Sequence, residues 1–324
     1  MSSNTSVQAV RVTAPARLHL GFLDLDGGLG RRFGGLGLTL EGLATRLVVR
    51  RAATLRIEGG TETARLERLW RALAEAAPLP PVAITLEGAI PAHAGLGSGT
   101  QLGLALGVAL ARLADLAWDA RAVARLLERG ARSGIGLGAF DQGGFILDGG
   151  RGRDGEPPPV TARLPFPPAW RLLLIFDAER QGLHGSQETG AFQALPAFAP
   201  ELAGELCRRV VMQLLPGLAT ADLAAVGAAI GEIQRRVGDH FAPAQGGRFT
   251  SPAVAETLAW LADQGITGLG QSSWGPTGFA ILPDAATAEG LRAAAERQLA
   301  GRHAGLRLAV TAARNRGAEV APIA

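Results

Sequence analysis

One stretch of this sequence, residues 90–107, constrains fold and function more than any other. It reads IPAHAGLGSGTQLGLALG and places three glycines and two hydroxyl residues directly ahead of a long apolar run. The apolar run predicts a buried helix, and the glycines allow the preceding loop to approach a ligand closely. A helix N-terminus favours negative charge through its free N–H groups and its dipole. The sequence therefore predicts an anion-binding loop formed by Gly95, Gly97, Ser98, Gly99 and Thr100.

The expected ligand of this loop is a phosphate or pyrophosphate group. The loop lacks the GK[ST] ending of a P-loop, and it does not have the GxGxxG spacing of a dinucleotide-binding turn. A glycine-rich turn with a serine or threonine cap is the alternative interpretation. His93 precedes the loop and is expected to line its entrance. Gln101 follows the loop and is expected either to orient a substrate or simply to begin the helix.

Arginine supplies every basic side chain of the chain. The 324 residues include 32 arginines and 29 acidic residues, which gives a formal net charge of +3, and lysine and tyrosine are absent. Arginine holds phosphate and carboxylate groups through paired hydrogen bonds, whereas the absence of lysine excludes Schiff-base chemistry. Aromatic residues make up 5% of the chain, and acidic residues are scattered among the arginines. This pattern argues against a nucleic-acid partner.

Several further classes of protein are disfavoured by the sequence. The longest apolar runs are too short or too interrupted by glycine to span a bilayer. The first residues lack the features of a signal peptide, and the single cysteine excludes an internal disulfide framework. The five histidines show no spacing typical of a zinc site, so the sequence identifies no metal ligands. We expect a cytoplasmic protein that does not associate with membranes.

The order of elements predicts an α+β protein of two domains. Helical and strand patterns are mixed in each half without strict alternation, and the length exceeds what one core usually supports. Residues 149–159, GGRGRDGEPPP, are rich in glycine and proline, which is typical of a linker. We therefore expect one domain over residues 1–160 and a second over residues 161–324.

A polar motif near the N-terminus is the second candidate site element. Residues 16–25 read ARLHLGFLDL, and their alternation predicts a strand with Arg17 and His19 on one face. Asp24 closes the motif, and a glycine-dense turn over residues 27–37 carries Arg31. Arginines beside glycines suit an anion, although surface arginines are common in loops.

Three later segments add polar residues to the candidate site. Residues 133–150, SGIGLGAFDQGGFILDGG, contain Asp141, and the GLGQSSWGPTGFAIL segment contains Ser272 and Ser273. The polar loop over residues 177–189 contains His184 and Glu188. Ordinary turn and loop chemistry accounts equally well for each of these residues taken singly.

The motifs PARLHLGFLDL, PAHAGLGSGTQLGLALG and GQSSWGPTGFAI together resemble the GHMP kinase superfamily. The resemblance implies an N-terminal domain similar to ribosomal protein S5 domain 2 and a ferredoxin-like C-terminal domain. Kinases of the mevalonate type usually carry a catalytic aspartate in a motif like SGxD. Here Ser133 and Gly134 form the SG pair, and Gly136 occupies the aspartate position, so the usual kinase base is absent. An ATP-dependent small-molecule kinase remains the alternative function, and a non-catalytic phosphate-binding module is a second alternative.

The motifs ARLHLGFLDLDGGLGR, GLGSGTQ and SGIGLGAFDQGGFILDGG more closely resemble one branch, the β-ribofuranosylaminobenzene 5′-phosphate synthases. The resemblance implies a transferase that joins 5-phosphoribosyl 1-pyrophosphate to 4-aminobenzoate or 4-hydroxybenzoate. Carbon dioxide and pyrophosphate are released, and the product enters tetrahydromethanopterin biosynthesis for one-carbon metabolism. The resemblance also implies Mg²⁺, no organic cofactor and a homodimer. The predicted apolar helices over residues 201–215 and 221–237 offer an interface for the homodimer, and ordinary core helices are the alternative interpretation.

The resemblance further suggests roles for the candidate residues. An arginine would bind the benzoate carboxylate and a histidine or carboxylate would polarise the ring substituent, which makes Arg17, His19 and Asp24 the catalytic candidates. A histidine satisfied on a strand face is the alternative interpretation of His19. The expected substrate- and phosphate-binding residues are Arg31, His93, Gly95, Gly97, Ser98, Gly99, Thr100, Gln101, Asp141, His184, Glu188, Ser272 and Ser273.

Overall fold

A computed structural model describes residues 7–182 and 185–323 of the chain. Within these ranges, eleven strands form two sheets, and α-helices pack on both. The predicted α+β class is confirmed. None of the helices in these ranges has the length and apolar character needed to cross a membrane.

The first sheet is built around a long antiparallel hairpin. Its strand order is β11-β1-β2-β4-β3, with β5 added on β2 and β6 on β5. All its pairings are antiparallel except that of β3 with β4. The strands are β1 (Ala9–Asp24), β2 (Phe33–Arg51), β3 (Arg56–Glu58), β4 (Val82–Gly88), β5 (Phe145–Asp148), β6 (Val160–Leu164) and β11 (Glu319–Ile323).

Four helices cover one face of this sheet. They are α1 (Thr63–Ala76), α2 (Ser98–Ala114), α3 (Ala120–Leu126) and α4 (Ile135–Asp141). The glycine and alanine content of α2 allows close packing, since a methyl group at Gly107 would overlap Val123 of α3. Burial of Leu104, Leu106 and Leu110 at 0% exposure stabilises this layer. The apolar run of residues 90–107 is thus the buried helix that its composition predicts.

The second sheet has the strand order β10-β7-β9-β8 and is antiparallel throughout. Its strands are β7 (Arg171–Asp177), β8 (Leu269–Gln271), β9 (Gly278–Leu282) and β10 (Leu306–Thr311). Helices α9 (Pro252–Asp263) and α10 (Ala285–Gln298) pack on one face. The other face shares a core with β1, β2 and the remaining helices. These are α5 (Gly185–Ala194), α6 (Pro200–Arg209), α7 (Leu215–Ala219) and α8 (Leu223–Gln245), with a π-helical turn (Val210–Leu214) between α6 and α7.

The predicted linker over residues 149–159 is not a linker in the structure. It connects β5 to β6, which pair antiparallel, and it is therefore the loop of a hairpin within the first sheet. Glycine and proline mark a turn here just as they would mark a linker. The first sheet also takes β11 from the end of the described chain, so it draws strands from both of the predicted ranges, 1–160 and 161–324. The division at residue 160 stays a prediction.

A change of register between β1 and β2 decides which way the N-terminal motif faces. From Pro15 to Arg17, β1 advances by two residues while β2 advances by five, from Ala44 to Thr39, so the extra residues lie in β2. Before this irregularity, Val10 and Val12 pack with α1 and α2, whereas after it Leu18 and Leu20 pack in the other core, with α8. The side chains of β1 therefore change face at this point. As a result, Arg17 and His19 face the cavity beside the glycine loop.

Candidate functional site

The glycine-rich segments converge on one cavity of about 300 Å³. It lies between β1, the N-terminus of α2, the start of α4 and the turn that follows β8. The residues predicted from sequence that line it are Arg17, His19, His93, Gly95, Gly97, Ser98, Gly99, Thr100, Glu188 and Ser273.

Ser272 joins three segments that are far apart in the sequence. Its hydroxyl donates to the carbonyl oxygen of Gly95 at 2.7 Å and accepts from the backbone N–H of His19 at 2.9 Å. The guanidinium of Arg17 donates to the same Gly95 oxygen at 2.6 Å. Ser272 is fully buried behind the loop. It therefore fixes the loop in place, and its predicted role in binding a ligand stays a prediction.

The loop ahead of α2 has the shape that an anion site requires. Gly95 and Gly97 have φ values of +77° and +84°, a region that favours glycine. These two turns bring the chain to Ser98, where α2 begins without a side-chain cap. The first N–H groups of the helix consequently remain available to a ligand beside Ser98, Gly99 and Thr100.

Arginines concentrate positive charge around this helix end. A methyl group added to Gly99 would lie 2.5 Å from Nη2 of Arg65 and 4.0 Å from Nη1 of Arg129. Burial and the neighbouring charge of Arg65 both lower the pKa of Arg129. The Nε of Arg129 has no hydrogen-bond partner among the described residues. Arg65 is also paired with Glu62 at 3.3 Å, so Arg129 is the cation at this helix N-terminus whose charge an anion would neutralise.

His19 is held in the neutral form. It is 3% exposed, and burial, followed by the charge of Arg17, lowers its pKa from the usual 6.5 to about 3. Its Nδ1 accepts a long hydrogen bond from Gly21 N–H at 3.4 Å, so the proton belongs on Nε2. Within the described chain Nε2 has no hydrogen-bond partner. The alternative reading of a fully satisfied strand histidine is therefore not what the contacts show.

We expect the imidazole of His19 not to titrate between pH 8 and pH 4.5. The unfolded chain takes up a proton as pH falls through 6.5, whereas the folded state does so near 3. The contribution of this group to stability is therefore complete above pH 6.5 and is lost as the pH falls towards 3. NMR of ¹⁵N-histidine-labelled protein, with His19→Gln for assignment, measures the pKa. A midpoint above 6 for the His19 signal would contradict this description.

A second polar cluster surrounds Gly35 beside His19. A methyl group at Gly35 would lie 2.7 Å from Oδ2 of Asp148, 3.2 Å from Oγ of Ser133 and 3.3 Å from Nε2 of His19. Ser133 donates to Asp148 at 3.0 Å, and the N–H groups of Gly134 and Gly150 donate to the same carboxylate at 2.9 Å. Burial nevertheless raises the pKa of Asp148. The missing side chain at position 35 allows these three polar groups to approach one another at the edge of the cavity.

Other predicted site residues lie outside the cavity. Asp24 accepts from the N–H groups of Asp26 and Gly27 at 2.9 Å and so shapes the turn after β1. Arg31 donates to the carbonyl oxygens of Gly149 and Gly150 at 2.7 Å and ties that turn to the end of β5. Both residues border a separate, largely apolar cavity. The functional roles proposed for Asp24 and Arg31 stay predictions.

Two further predicted site residues, Gln101 and Asp141, are not among those that line the cavity. Gln101 is fully buried and donates to the carbonyl oxygen of Gly136 at 2.8 Å, which joins α2 to α4. Asp141 ends α4 and does not line the cavity. His184 lies outside the described residues.

Sequence reasoning missed the arginines that supply most of the charge. Arg129 and Arg132 line the cavity, and Arg65 of α1 lies beside Gly99, one of the lining residues. Arg129 and Arg132 stand just before the SG pair of the second glycine-rich motif, and this position was the available signal. Arg65 lies in an ordinary amphipathic helix, where nothing distinguishes it from a solvated arginine.

Comparison with known proteins agrees with the fold. The family model described as GHMP kinases N terminal domain matches residues 64–149, and that described as GHMP kinases C terminal matches residues 214–301. The chain is 33% identical to a β-ribofuranosylphenol 5′-phosphate synthase of Archaeoglobus fulgidus, over 96% of this chain and 99% of that protein. It is 29% identical to the protein of the same name from Methanothermobacter thermautotrophicus, over 95% and 97% of the two chains.

Solved structures confirm the GHMP kinase fold predicted from the sequence. Homoserine kinase from Cytophaga hutchinsonii superposes with a TM-score of 0.69 at 20% identity, over 99% of each chain. Mevalonate diphosphate decarboxylase from Enterococcus faecalis gives a TM-score of 0.66 at 18% identity, over 98% of this chain and 99% of that one. At these identities the likeness concerns the fold alone, which hosts more than one chemistry.

Proposed function

Because this chain belongs to the family of the β-ribofuranosylphenol 5′-phosphate synthases, we propose that it joins 5-phosphoribosyl 1-pyrophosphate to 4-hydroxybenzoate. The products are the ribosylphenol phosphate, pyrophosphate and carbon dioxide. The sequence leaves the amino- and hydroxybenzoate acceptors open, and the phenol in the name of the relatives favours the hydroxyl compound.

The reaction exchanges one bond at each reacting carbon. The bond from ribose C1 to the pyrophosphate oxygen breaks, and its electron pair leaves with pyrophosphate. A new bond forms between C1 and the ring carbon that carries the carboxylate. The bond from that carbon to the carboxylate then breaks, and its electrons restore the aromatic ring as carbon dioxide departs.

The observation that carries the proposal is the cluster of arginines at an uncapped helix N-terminus. Departure of pyrophosphate develops negative charge, which N–H groups and guanidinium groups held in place beforehand stabilise without reorganisation. Arg65 and Arg129 stand beside Gly99, where α2 begins. We propose that this region binds the pyrophosphate, and that buried Arg17 both supports the loop and adds to its positive potential.

The kinase alternative is not favoured, and Gly136 gives the physical reason. A methyl group at Gly136 would lie 2.8 Å from Cγ2 of Thr100, and the carbonyl oxygen of Gly136 is bound to Gln101. The position therefore has no room for the aspartate that mevalonate-type kinases use. Relatives of the same fold that are named as kinases share the architecture, which does not fix the chemistry.

The residues around the loop are compatible with Mg²⁺ carried by the substrate. Mg²⁺ commonly binds phosphate oxygens and water with one or two protein groups, rather than an all-protein cage. The described residues contain no cluster of three or more histidine, cysteine or acidic side chains. Glu128, Ser98 and Thr100 all line the cavity, and we propose that these three hold the ion with the pyrophosphate. The ion would neutralise charge on the leaving group.

Two wider aspects of the proposal follow from the family. We propose that the product supplies tetrahydromethanopterin biosynthesis. We also propose a homodimer, because Val211 and Met212 in the π-helical turn are 56% and 71% exposed within the helices expected to form the interface. Light scattering coupled to gel filtration measures the assembly state, and a monomer at micromolar concentration would contradict the dimer.

The function is tested by following both small products. Purified protein with 5-phosphoribosyl 1-pyrophosphate, Mg²⁺ and 4-hydroxybenzoate is expected to release pyrophosphate and carbon dioxide in equal amounts. The same mixture without the benzoate is expected to release neither, and ATP is the control for kinase activity. Consumption of ATP without product from 4-hydroxybenzoate or 4-aminobenzoate would overturn the proposal.

A further inference from the structure

A second cavity, of about 510 Å³, opens beside the phosphate cavity. Arg132 lines both cavities and therefore stands on the wall between them. Three phenylalanine rings, two arginines and a histidine line the second cavity, together with the carboxylate of Asp26. The residues that matter here are Arg32, Phe33, Arg132, Phe192, Phe198 and His240.

Aromatic side chains form the walls of this second cavity. The rings of Phe33 and Phe192 lie 5.8 Å apart in an edge-to-face arrangement, and Phe198 and His240 lie 4.9 Å apart in the same way. Edge-to-face clusters of this kind offer flat and edge contacts to a further aromatic ring. The walls of this cavity thus favour a planar, aromatic ligand.

Phe33 carries a backbone conformation that needs an explanation. Its φ is +78°, in the left-handed region that bulky residues rarely adopt. Such a conformation persists where the surrounding structure enforces it, and it is concentrated at functional sites. Here it places the ring of Phe33 in the cavity wall at the beginning of β2, with the guanidinium carbon of Arg32 at 5.3 Å from the ring centroid.

The cations of the second cavity are arranged to receive a carboxylate. Arg132 lies over the ring of Phe192, with its guanidinium carbon 5.3 Å from the centroid. Its Nη2 donates to Glu188 at 2.6 Å, and the planar guanidinium carries further N–H donors on Nη1 and Nε. A carboxylate bound at this arginine would stand at the boundary between the two cavities.

A second polar group of the cavity, His240, suits a neutral hydroxyl group. His240 lines the second cavity but not the first, and its ring lies 4.9 Å from that of Phe198. Burial lowers the pKa of His240, which favours the neutral imidazole. A neutral imidazole both donates and accepts a hydrogen bond, as a phenolic hydroxyl does.

We propose that this second cavity is the acceptor subsite, in which Arg132 binds the carboxylate, Phe33 and Phe192 contact the ring, and His240 meets the para-hydroxyl group. This orientation rests on the proposed function and directs the carboxylate-bearing carbon, the atom that attacks ribose C1, towards the phosphate cavity. The sequence had left unassigned which residue contacts the acceptor carboxylate.

The test uses three ligands that differ by one group. Isothermal titration compares 4-hydroxybenzoate, benzoate and phenol on the wild-type chain, R132M and H240L. We expect R132M to weaken binding of both benzoates by about 10- to 100-fold and to leave phenol unchanged, because a charge-assisted hydrogen bond is lost. We expect H240L to weaken 4-hydroxybenzoate by about 3- to 10-fold and to leave benzoate unchanged.

Matched control residues line neither cavity. Arg125 pairs with Glu156 and His303 pairs with Glu256, and R125M and H303L are expected to bind all three ligands as the wild type does. Circular dichroism checks the fold of each variant, and R132K replaces R132M if the latter does not fold. R132K keeps the charge but loses the paired donors, so it should still weaken both benzoates.

Several outcomes would overturn the proposal. Unchanged affinities in R132M and H240L would exclude the subsite, even if the wild-type chain releases pyrophosphate and carbon dioxide. Loss of carboxylate preference in R32M but not in R132M would show the opposite orientation. A different outcome would separate the two proposals. If the three ligands bind as expected but 5-phosphoribosyl 1-pyrophosphate is not turned over, the subsite would be supported and the proposed reaction would be contradicted.

Discussion

Replacement of Gly95 by alanine is expected to lower kcat/KM for 5-phosphoribosyl 1-pyrophosphate by at least about 100-fold, since displacements of about 1 Å at a reacting centre have effects of this size. The added methyl group would overlap the carbonyl oxygen of Ser272 at a residue whose φ is +77°. The loop would have to move away from the turn after β8, and the helix N-terminus would move with it.

The chain offers a control that separates strain from contact. Gly301 has the same φ of +77°, and a methyl group there would meet no atom within 4 Å. Gly301→Ala therefore carries the backbone cost, about 1–2 kcal/mol, without a collision near the cavity. Steady-state kinetics and urea unfolding of both variants make the comparison. Similar kinetics in the two variants would show that the fit of Gly95 against Ser272 is unimportant.

Ser272→Ala is expected to reduce the free energy of unfolding by about 1–3 kcal/mol, the cost of leaving a buried polar group unpaired. The variant removes the hydroxyl that accepts from His19 N–H at 2.9 Å. Gly95 O would keep its bond from Arg17, so the largest loss is on the β1 side. Because the hydroxyl joins β1 to the loop, we also expect a higher KM for 5-phosphoribosyl 1-pyrophosphate.

Ser273 supplies the neighbouring control for stability. It follows Ser272 directly, and its main-chain N–H donates to His19 O at 3.1 Å, a bond that alanine would retain. Ser273→Ala is expected to change the free energy of unfolding by less than about 0.5 kcal/mol, as substitutions outside buried networks do. Equal destabilisation by the two alanine variants in urea unfolding would show that the Ser272 hydroxyl does not join the segments.

Much of the fold could be predicted because its signals are local. The glycines before α2, the alternation in β1 and the apolar period of α9 and α10 each identify an element without knowledge of the rest. The hairpin loop over residues 149–159 was misread as a linker because glycine and proline mark a chain reversal in both cases. The pairing of β5 with β6 depends on tertiary structure, and the amino-acid composition of the loop does not predict it.

The candidate site was predictable only in part, for a related reason. Arg17, His19 and the glycine loop stand in compact motifs, and the structure brings them together. Arg65 and His240 come from helices whose patterns describe packing, and only the folded chain brings them to the cavities. Gln101 and Ser272 belong to the motifs but act through buried hydrogen bonds between segments, a distinction that residue type alone does not make.

The pairing of β11 with β1 has a consequence for the order of folding events. Ala9 faces Ile323 in this pair, so the strand that carries Arg17 and His19 gains one neighbour from the most distant part of the described chain. Closing a long loop lowers the conformational entropy of the chain before the new contact stabilises it, and contacts between distant residues therefore slow folding. We expect the glycine loop and α2 to become protected from hydrogen exchange before β11 does, so that the anion site is assembled before its sheet is completed.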